Sequence, residues 1–459
     1  MIREIKTSLD PFQIFTIFRD EDHSFILDSY LNPERLGRYS FIGTEPFEII
    51  KGKDSDEDLF EVLRQKIKEY NVENDSDLPF VGGAVGYISY DACHYIEKKL
   101  PRTAIDDINV PDLYFGLYDA VIIVDNLEQK TYVASPGLNP SKEEEKIDRL
   151  CERIERAERE GIDPIYYEEK DFPPVELKSN FKKEEYYSTL QKIKDYIEAG
   201  DIYQANLTQR FEGNVPMSSY ELYRDLRRVS PAPFGAFLNF GEVDILSNSP
   251  ERFIQLRGDQ IETRPIKGTR PRGRTPEEDR MYREELVRSE KDKAELLMIV
   301  DLERNDIGRV SETGTVRVPE LFKLEEYSNV HHLVATVVGR LREDKDVIDL
   351  IKATFPGGSI TGAPKIRAME IIDEVEPTQR NVYTGSIGYL GFDGSLDLNI
   401  AIRTMVKKGD KVYFQVGGGI VWDSDVKEEY EETFKKAASI KKALRGHYEY
   451  EKENRKSNL

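Results

Sequence analysis

From Met1 to about Gly137 the chain is cut into short apolar runs, each closed by a turn signal: SFILDSYL, GRYSFIG, GGAVGYISY, AVIIVD and KTYVAS. Runs this short, rich in β-branched and aromatic residues, read as β-strands. One stretch, Asp58–Tyr70, interrupts them with helical spacing. From Ser141 to Lys170 the composition turns to Glu, Lys and Arg (KEEEKIDRLCERIERAERE), a charged helix leading into the Pro-containing linker DFPPVELKSN. A further helix, Lys182–Ala199, is stopped by Gly200, and strands then mix with helices to about Gly446. The expected organisation is an N-terminal region 1–140, a helix and linker 141–180, a catalytic region 181–446 and a tail 447–459 whose end, EKENRKSNL, frays. Strands in both halves without strict β-α-β alternation place the chain in the α+β class.

The formal net charge is −21, from 66 Lys and Arg against 87 Asp and Glu. Such a field repels nucleic acid and anionic membrane, so neither is expected as a partner. An anionic substrate would be repelled too, and a site for one needs local cations or a metal. Cys93 and Cys151 are too few for a disulfide framework in 459 residues, which points to a reducing cytoplasm. MIREIKTSLDPF holds no apolar stretch long enough for a signal peptide, and no later run approaches ~18 apolar residues.

The segment SPERFIQLRGDQIETRPIKGT carries the most chemistry. Gly258-Asp259 makes a two-residue hairpin turn, which sets Arg257 opposite Gln260 and Glu251 opposite Ile266. Lys267 then lies one step from Glu251, although strict alternation points the two to opposite faces unless Pro265 or Gly268 supplies a bulge. On residues alone the pair reads as a surface ion pair. The helix entered near Pro276 carries Asp292 and Glu295 on one face, with Glu295 just before the apolar run LLMIV. A carboxylate there needs a partner or a metal. In EEYEETFKKAASIKKAL, Tyr430, Phe434 and Ala437 form an apolar helix face, while Glu429, Glu432 and Lys436 cluster opposite, a pattern that alone suits a solvated stripe.

Three further stretches could hold an anion. FPGGSITGAPK precedes the helix KIRAMEIIDEVE, whose first amides are available, but it is not a Walker A loop. VGGGIVWDSD sets Gly417–Gly419 after a strand, with bare backbone N–H groups. Arg403, in the strand-like NIAIRTMV, would be costly to bury without a carboxylate. Tyr383 in YTGSIGYL reads as a core tyrosine.

PIKGT, after SPERF and before RND, resembles the chorismate-utilising family that includes anthranilate, isochorismate and salicylate synthases. The resemblance covers nearly the whole chain and is strongest from Gly200 to Ala437. It implies an anthranilate synthase component I-like fold, with two large antiparallel β-sheets forming a sandwich flanked by helices. Where anthranilate synthase has Ala in PIAGT, this chain has Lys267. Where isochorismate and salicylate synthases carry a water-activating Lys, it has Gln204, in GDIYQ. Both positions match the branch that aminates chorismate at C4, giving 4-amino-4-deoxychorismate.

The resemblance also implies roles. Lys267 attacks C2 covalently and Glu251 is the general acid on the departing C4 hydroxyl, with Thr269 and His332 at further catalytic positions. Gln204, Ser359, Tyr383, Arg403, Gly417, Gly418 and Lys436 line the chorismate site. Glu295 and Glu432 bind Mg²⁺, with Glu429 and Asp292 as second candidates. Neither cysteine sits in a glutaminase elbow, so ammonia is expected from a separate glutaminase subunit in a heterodimer. Ser29, Arg38 and Tyr39, with Pro233 and Phe234 of PAPF, match a tryptophan pocket of the family, which ordinary strand packing would explain equally. The rival readings are anthranilate synthase component I and a non-catalytic chorismate-binding paralogue. Lys267 argues against the first, and the presence of Glu251, Lys267, Glu295 and Glu432 together against the second.

Overall fold

Strands that are apolar on both faces need cover on both sides, and four layers supply it. The computed structural model describes residues 1–29, 34, 36–168, 170–327 and 330–448. Among these, the strands form a 13-stranded and a 10-stranded sheet, antiparallel throughout except where His447–Tyr448 runs parallel to Glu176–Ser179. Strands such as Gly83–Ile88, Leu113–Tyr118, Val121–Asp125 and Ser386–Gly391 are buried along their whole length.

The cores explain why. Phe25, Phe41 and Leu238 of the larger sheet pack against Val85, Tyr87, Tyr118 and Tyr389 of the smaller, forming the sandwich centre. The outer face of the larger sheet is covered by helices Pro11–Phe18, Pro140–Glu160, Ser219–Val229 and Val426–Ala443. The outer face of the smaller is covered by Leu59–Glu69, Glu290–Gly308 and Val347–Thr354. The α+β sandwich flanked by helices is therefore the observed architecture. Strands from both sides of residues 141–180 enter each sheet, so regions 1–140 and 181–446 share their cores.

Several elements differ from the sequence reading. PFQIFTIF is a helix within the strand-rich first region, because Asp10 caps it and Gln13 returns the bond to the Asp10 N–H. The single helix expected from Pro276 is two, Pro276–Arg288 and Glu290–Gly308, broken where the Ser289 hydroxyl caps the Asp292 N–H at 3.2 Å. His447–Tyr448, placed in the tail, is a short strand, while residues 449–459 lie outside the described residues, as do Tyr30 and Leu31 of the DSYL run.

One buried ion pair ties these layers together. Arg380 and Glu376 meet at 2.8 Å with side chains only 1% and 3% exposed. Arg380 also donates to Ile360 O at 2.9 Å and Asn206 O at 2.7 Å, and Glu376 accepts from the Thr208 N–H and hydroxyl. Breaking such a pair strands a buried charge. Arg380→Met is expected to cost about 3–5 kcal/mol in denaturant unfolding, with much of it regained in Arg380→Met/Glu376→Gln.

Candidate active site

The site forms where the chain changes sheet. Asp244–Ser249 belongs to the larger sheet and Arg252–Arg257 to the smaller, so Pro250-Glu251 is a corner. Leu396–Asn399 and Thr404–Lys408 make the opposite crossing, and Ile400–Arg403 is the second corner. The stretch NIAIRTMV is thus not one strand but two, and Arg403 takes a left-handed φ of 50° between them. The corners are bonded to each other: the Ile400 N–H donates to Glu251 O at 3.0 Å, and the Ser249 hydroxyl donates to Ile400 O at 2.6 Å.

The hairpin has the expected register at its turn, with Arg257 opposite Gln260, and extends to Gln255 opposite Glu262. Ile266–Pro271 then leaves to pair with Val330–Arg340, setting Lys267 opposite Leu333. Glu251 and Lys267 accordingly do not meet across a ladder, and Lys267 makes no ion pair among the described residues. Gly268 supplies the bulge: its φ is 75°, the register shifts between Lys267 and Thr269, and a Cβ there would lie 2.8 Å from Leu286 and 2.9 Å from Asp292.

Ser359 is what joins acid and amine. Lys267 Nζ donates to Ser359 O at 3.4 Å, while the Ser359 hydroxyl and the Ile266 N–H reach the Glu251 carboxyl. Burial pushes Glu251 up to about 7, against the pull of Ser359, Lys267 and Ile266. Burial pulls the half-buried Lys267 amine down; Lys436 adds to that, and Glu295, Glu251 and Glu432 oppose it. Both shifts favour the uncharged forms, a protonated acid and a neutral amine.

The carboxylates of the two helices converge on the same place. A Cβ on Gly418 would lie 3.3 Å from Glu429 Oε2, 3.4 Å from Lys436 Nζ and 3.9 Å from Glu432 Oε1. Burial raises Glu295 and Glu429, and Glu432 raises both further; burial raises Glu432 too, but Lys436, at 2.7 Å, together with Lys291 and Lys435 holds it low. Glu432 and Lys436 are exposed, as the pattern-only reading of a solvated stripe expects, and Lys436 also donates to Gly417 O at 2.8 Å. Among the described residues, no three His, Cys, Asp or Glu side chains close into a metal cage. Glu295 and Glu432, all-oxygen donors in a mutually repelling cluster, fit a hard cation that draws its remaining ligands from substrate and water. Asp292 is turned to Arg270 at 3.1 Å.

The other expected site residues have the following surroundings. Thr269 Oγ1 lies 2.9 Å from His332 Nδ1, and burial, reinforced by Arg403, holds His332 neutral, down to about 3. Arg403 is half-buried, burial alone lowers its guanidinium, and no carboxylate pairs with it among the described residues. Gln204 is fully buried with neither amide atom bonded, against Gly419. Gly417–Gly419 form the last part of strand Lys411–Ile420 instead of following it, paired with Thr208, Leu207 and Asn206. Tyr383 is buried and its phenol raised by burial.

The residues named for the second candidate site use their polar groups on neighbouring residues. The Ser29 hydroxyl donates to Pro233 O at 3.0 Å, Arg38 pairs with Asp125 at 2.8 Å and covers the Tyr39 ring, and Arg252 lies over Phe234. Sequence reasoning missed Lys291, whose charge acts on Glu295, Glu429 and Glu432, and Glu303, a buried acid in the site wall. Glu303 was findable: Leu296, Ile299, Glu303 and Ile307 follow helical spacing, which puts a carboxylate in a core stripe.

Residues 23–442 match the family described as chorismate binding enzyme, and the chain belongs to that family. Aminodeoxychorismate synthase component 1 of Bacillus subtilis (strain 168) is 40% identical over 446 residues, 94% of each chain. Anthranilate synthase component 1 of Aquifex aeolicus (strain VF5) is also 40% identical, over 95% of this chain and 92% of its own. The crystal structure of anthranilate synthase component I from Streptococcus pneumoniae TIGR4 superposes with a TM-score of 0.79 at 34% identity, covering 88% of this chain and 92% of that one.

Glu251 is directly testable. Infrared difference spectra should show a protonated carboxyl that is lost as pH rises through about 7. The band should be missing in Glu251→Gln.

Proposed function

We propose that the chain is an aminodeoxychorismate synthase component 1, converting chorismate and ammonia to 4-amino-4-deoxychorismate for para-aminobenzoate and folate synthesis. The single observation that supports this over anthranilate synthesis is Lys267, an amine lowered by burial and held by Ser359 beside a protonatable Glu251. Relatives of both names stand at 40%, and the aminodeoxychorismate synthases of Klebsiella aerogenes and Salmonella typhimurium reach 46% and 44%.

In this reading Lys267 Nζ attacks C2 of chorismate as Glu251 passes its proton to the departing C4 hydroxyl. The C2–N bond forms, the C4–O bond breaks and water leaves. Ammonia then bonds to C4 and the C2–N bond to Lys267 breaks, returning the amine. Arg403 and Lys436 hold substrate carboxylates, while neutral His332 with Thr269 orients the ring. Gln204, whose amide is not basic, does not activate water. Mg²⁺, held by Glu295 and Glu432 with Glu429 nearby, would neutralise a substrate carboxylate when bound. The ammonia comes from a separate glutaminase subunit, in keeping with the component 1 names of the relatives. No helix among the described residues is long and apolar enough to cross a membrane, and both cysteines are free, which supports a cytoplasmic setting.

The purified chain with chorismate, Mg²⁺ and ammonium should yield 4-amino-4-deoxychorismate, which becomes para-aminobenzoate when a lyase is added. Anthranilate with pyruvate would assign the other activity. Lys267→Ala should lose about 100-fold or more in kcat, and an unchanged rate would sink the covalent route. The rate should also fall as pH climbs through about 7, because the acid form of Glu251 is lost there.

A further inference from the structure

The geometry points to Glu303 as a positioning residue for the amination: it holds the turn from which Ser359 offers its carbonyl to Lys267 and its hydroxyl to Glu251. Glu303 is 3% exposed, on helix Glu290–Gly308, and its Oε1 accepts the Gly358 N–H at 3.1 Å. Gly358 is the residue before Ser359. Packing leaves no slack there, because a Cβ on Gly358 would sit 2.7 Å from Leu302 Cδ2 and 3.2 Å from Glu303 Oε1.

The turn is tethered at three points. Lys365 donates to Pro356 O at 2.8 Å, Arg380 donates to Ile360 O at 2.9 Å, and Glu303 takes the N–H between them. The Glu303 and Arg380 tethers flank Ser359, at Gly358 on one side and Ile360 on the other, and Glu303 supplies the one on the side of the Gly358 N–H. The other Glu303 oxygen, Oε2, is buried without a partner. An unsatisfied buried carboxyl oxygen is costly, and an apolar side chain of the same size would pack in its place. The acceptor is what such a side chain would lack. Burial, with Asp306 nearby, raises Glu303 to about 8, so the neutral acid is the form that accepts from Gly358 at neutral pH.

This inference rests on the amination reading, and the test separates the two. Glu303→Gln keeps volume and acceptor, whereas Glu303→Met keeps volume and leaves the Gly358 N–H unpaired. Expected is a loss of about 100-fold in kcat for the Met variant with KM for chorismate within about threefold, and recovery to within about threefold of the parent in Gln. Acylation of Lys267 by acetic anhydride, followed by peptide mass spectrometry without substrate, should change about threefold or more in Met and stay near the parent rate in Gln. A Met variant with parental kcat, or a Gln variant as slow as Met, would overturn the assignment. If Met does not fold, a Gln variant down tenfold or more in kcat still overturns it, and one at parental rate upholds it. Should the parent form anthranilate, the C4 reading falls while the same Met–Gln contrast in Lys267 acylation keeps the positioning role.

Discussion

The backbone bond from the Ile400 N–H to Glu251 O locks together the two corners at which the chain leaves one sheet for the other. At a corner the ladder stops, so its polar groups must find partners elsewhere. Ser249 provides one, donating its hydroxyl to Ile400 O. Freed from strand alternation, Glu251 is buried beside Ser359 and Lys267, and Arg403 adopts a conformation that a strand residue would not. Everything else in the site is placed against these corners: the Gly268 bulge, the Ser359 turn and the two carboxylate-bearing helices.

Charge within the site is arranged differently from charge on the whole chain. The net −21 would repel a dianion, yet Arg403 has no carboxylate partner among the described residues, in contrast to Arg380, which is fully engaged by Glu376. An unpaired guanidinium is an anion holder in waiting, whereas a paired one is structure. Burial moves Lys267 and Glu251 in opposite senses, lowering the amine and raising the acid. Each shift favours the uncharged form, which is the form a nucleophile and a general acid need.

Local features were legible where they depend on local physics. The Gly258-Asp259 turn gave its register, helix Lys183–Glu198 lies between its expected ends, and Gly268 bulges as anticipated. Pro11–Phe18 was obscured because it is buried on nearly every side, so PFQIFTIF has little polar face to betray a helical period. The Ser289 break depends on one hydroxyl choosing a backbone N–H over solvent. The corners were illegible for another reason: which sheet a strand joins is a nonlocal choice, and neither SNSPERF nor NIAIRTMV marks the change. Family resemblance named most of the candidate site residues, and pattern alone put Glu432 and Lys436 on a solvated face, where both are exposed.

The proposed reaction also says why one position can divide two activities on the same frame. Corner acid, carboxylate cluster and Arg403 all serve a ring losing its C4 hydroxyl, whatever nucleophile arrives at C2. A side chain that stops at Cβ, as in the PIAGT of anthranilate synthase, leaves C2 open to ammonia. Lys267 fills that approach and brings a tethered amine at high effective concentration, so free ammonia is turned away from C2 and toward C4. For this the lysine must be held short of an ion pair with Glu251, and the Ser359 carbonyl does so by accepting an amine hydrogen while its hydroxyl serves the acid. Specificity between the two products then lies as much in the turn that carries Ser359 as in the lysine itself.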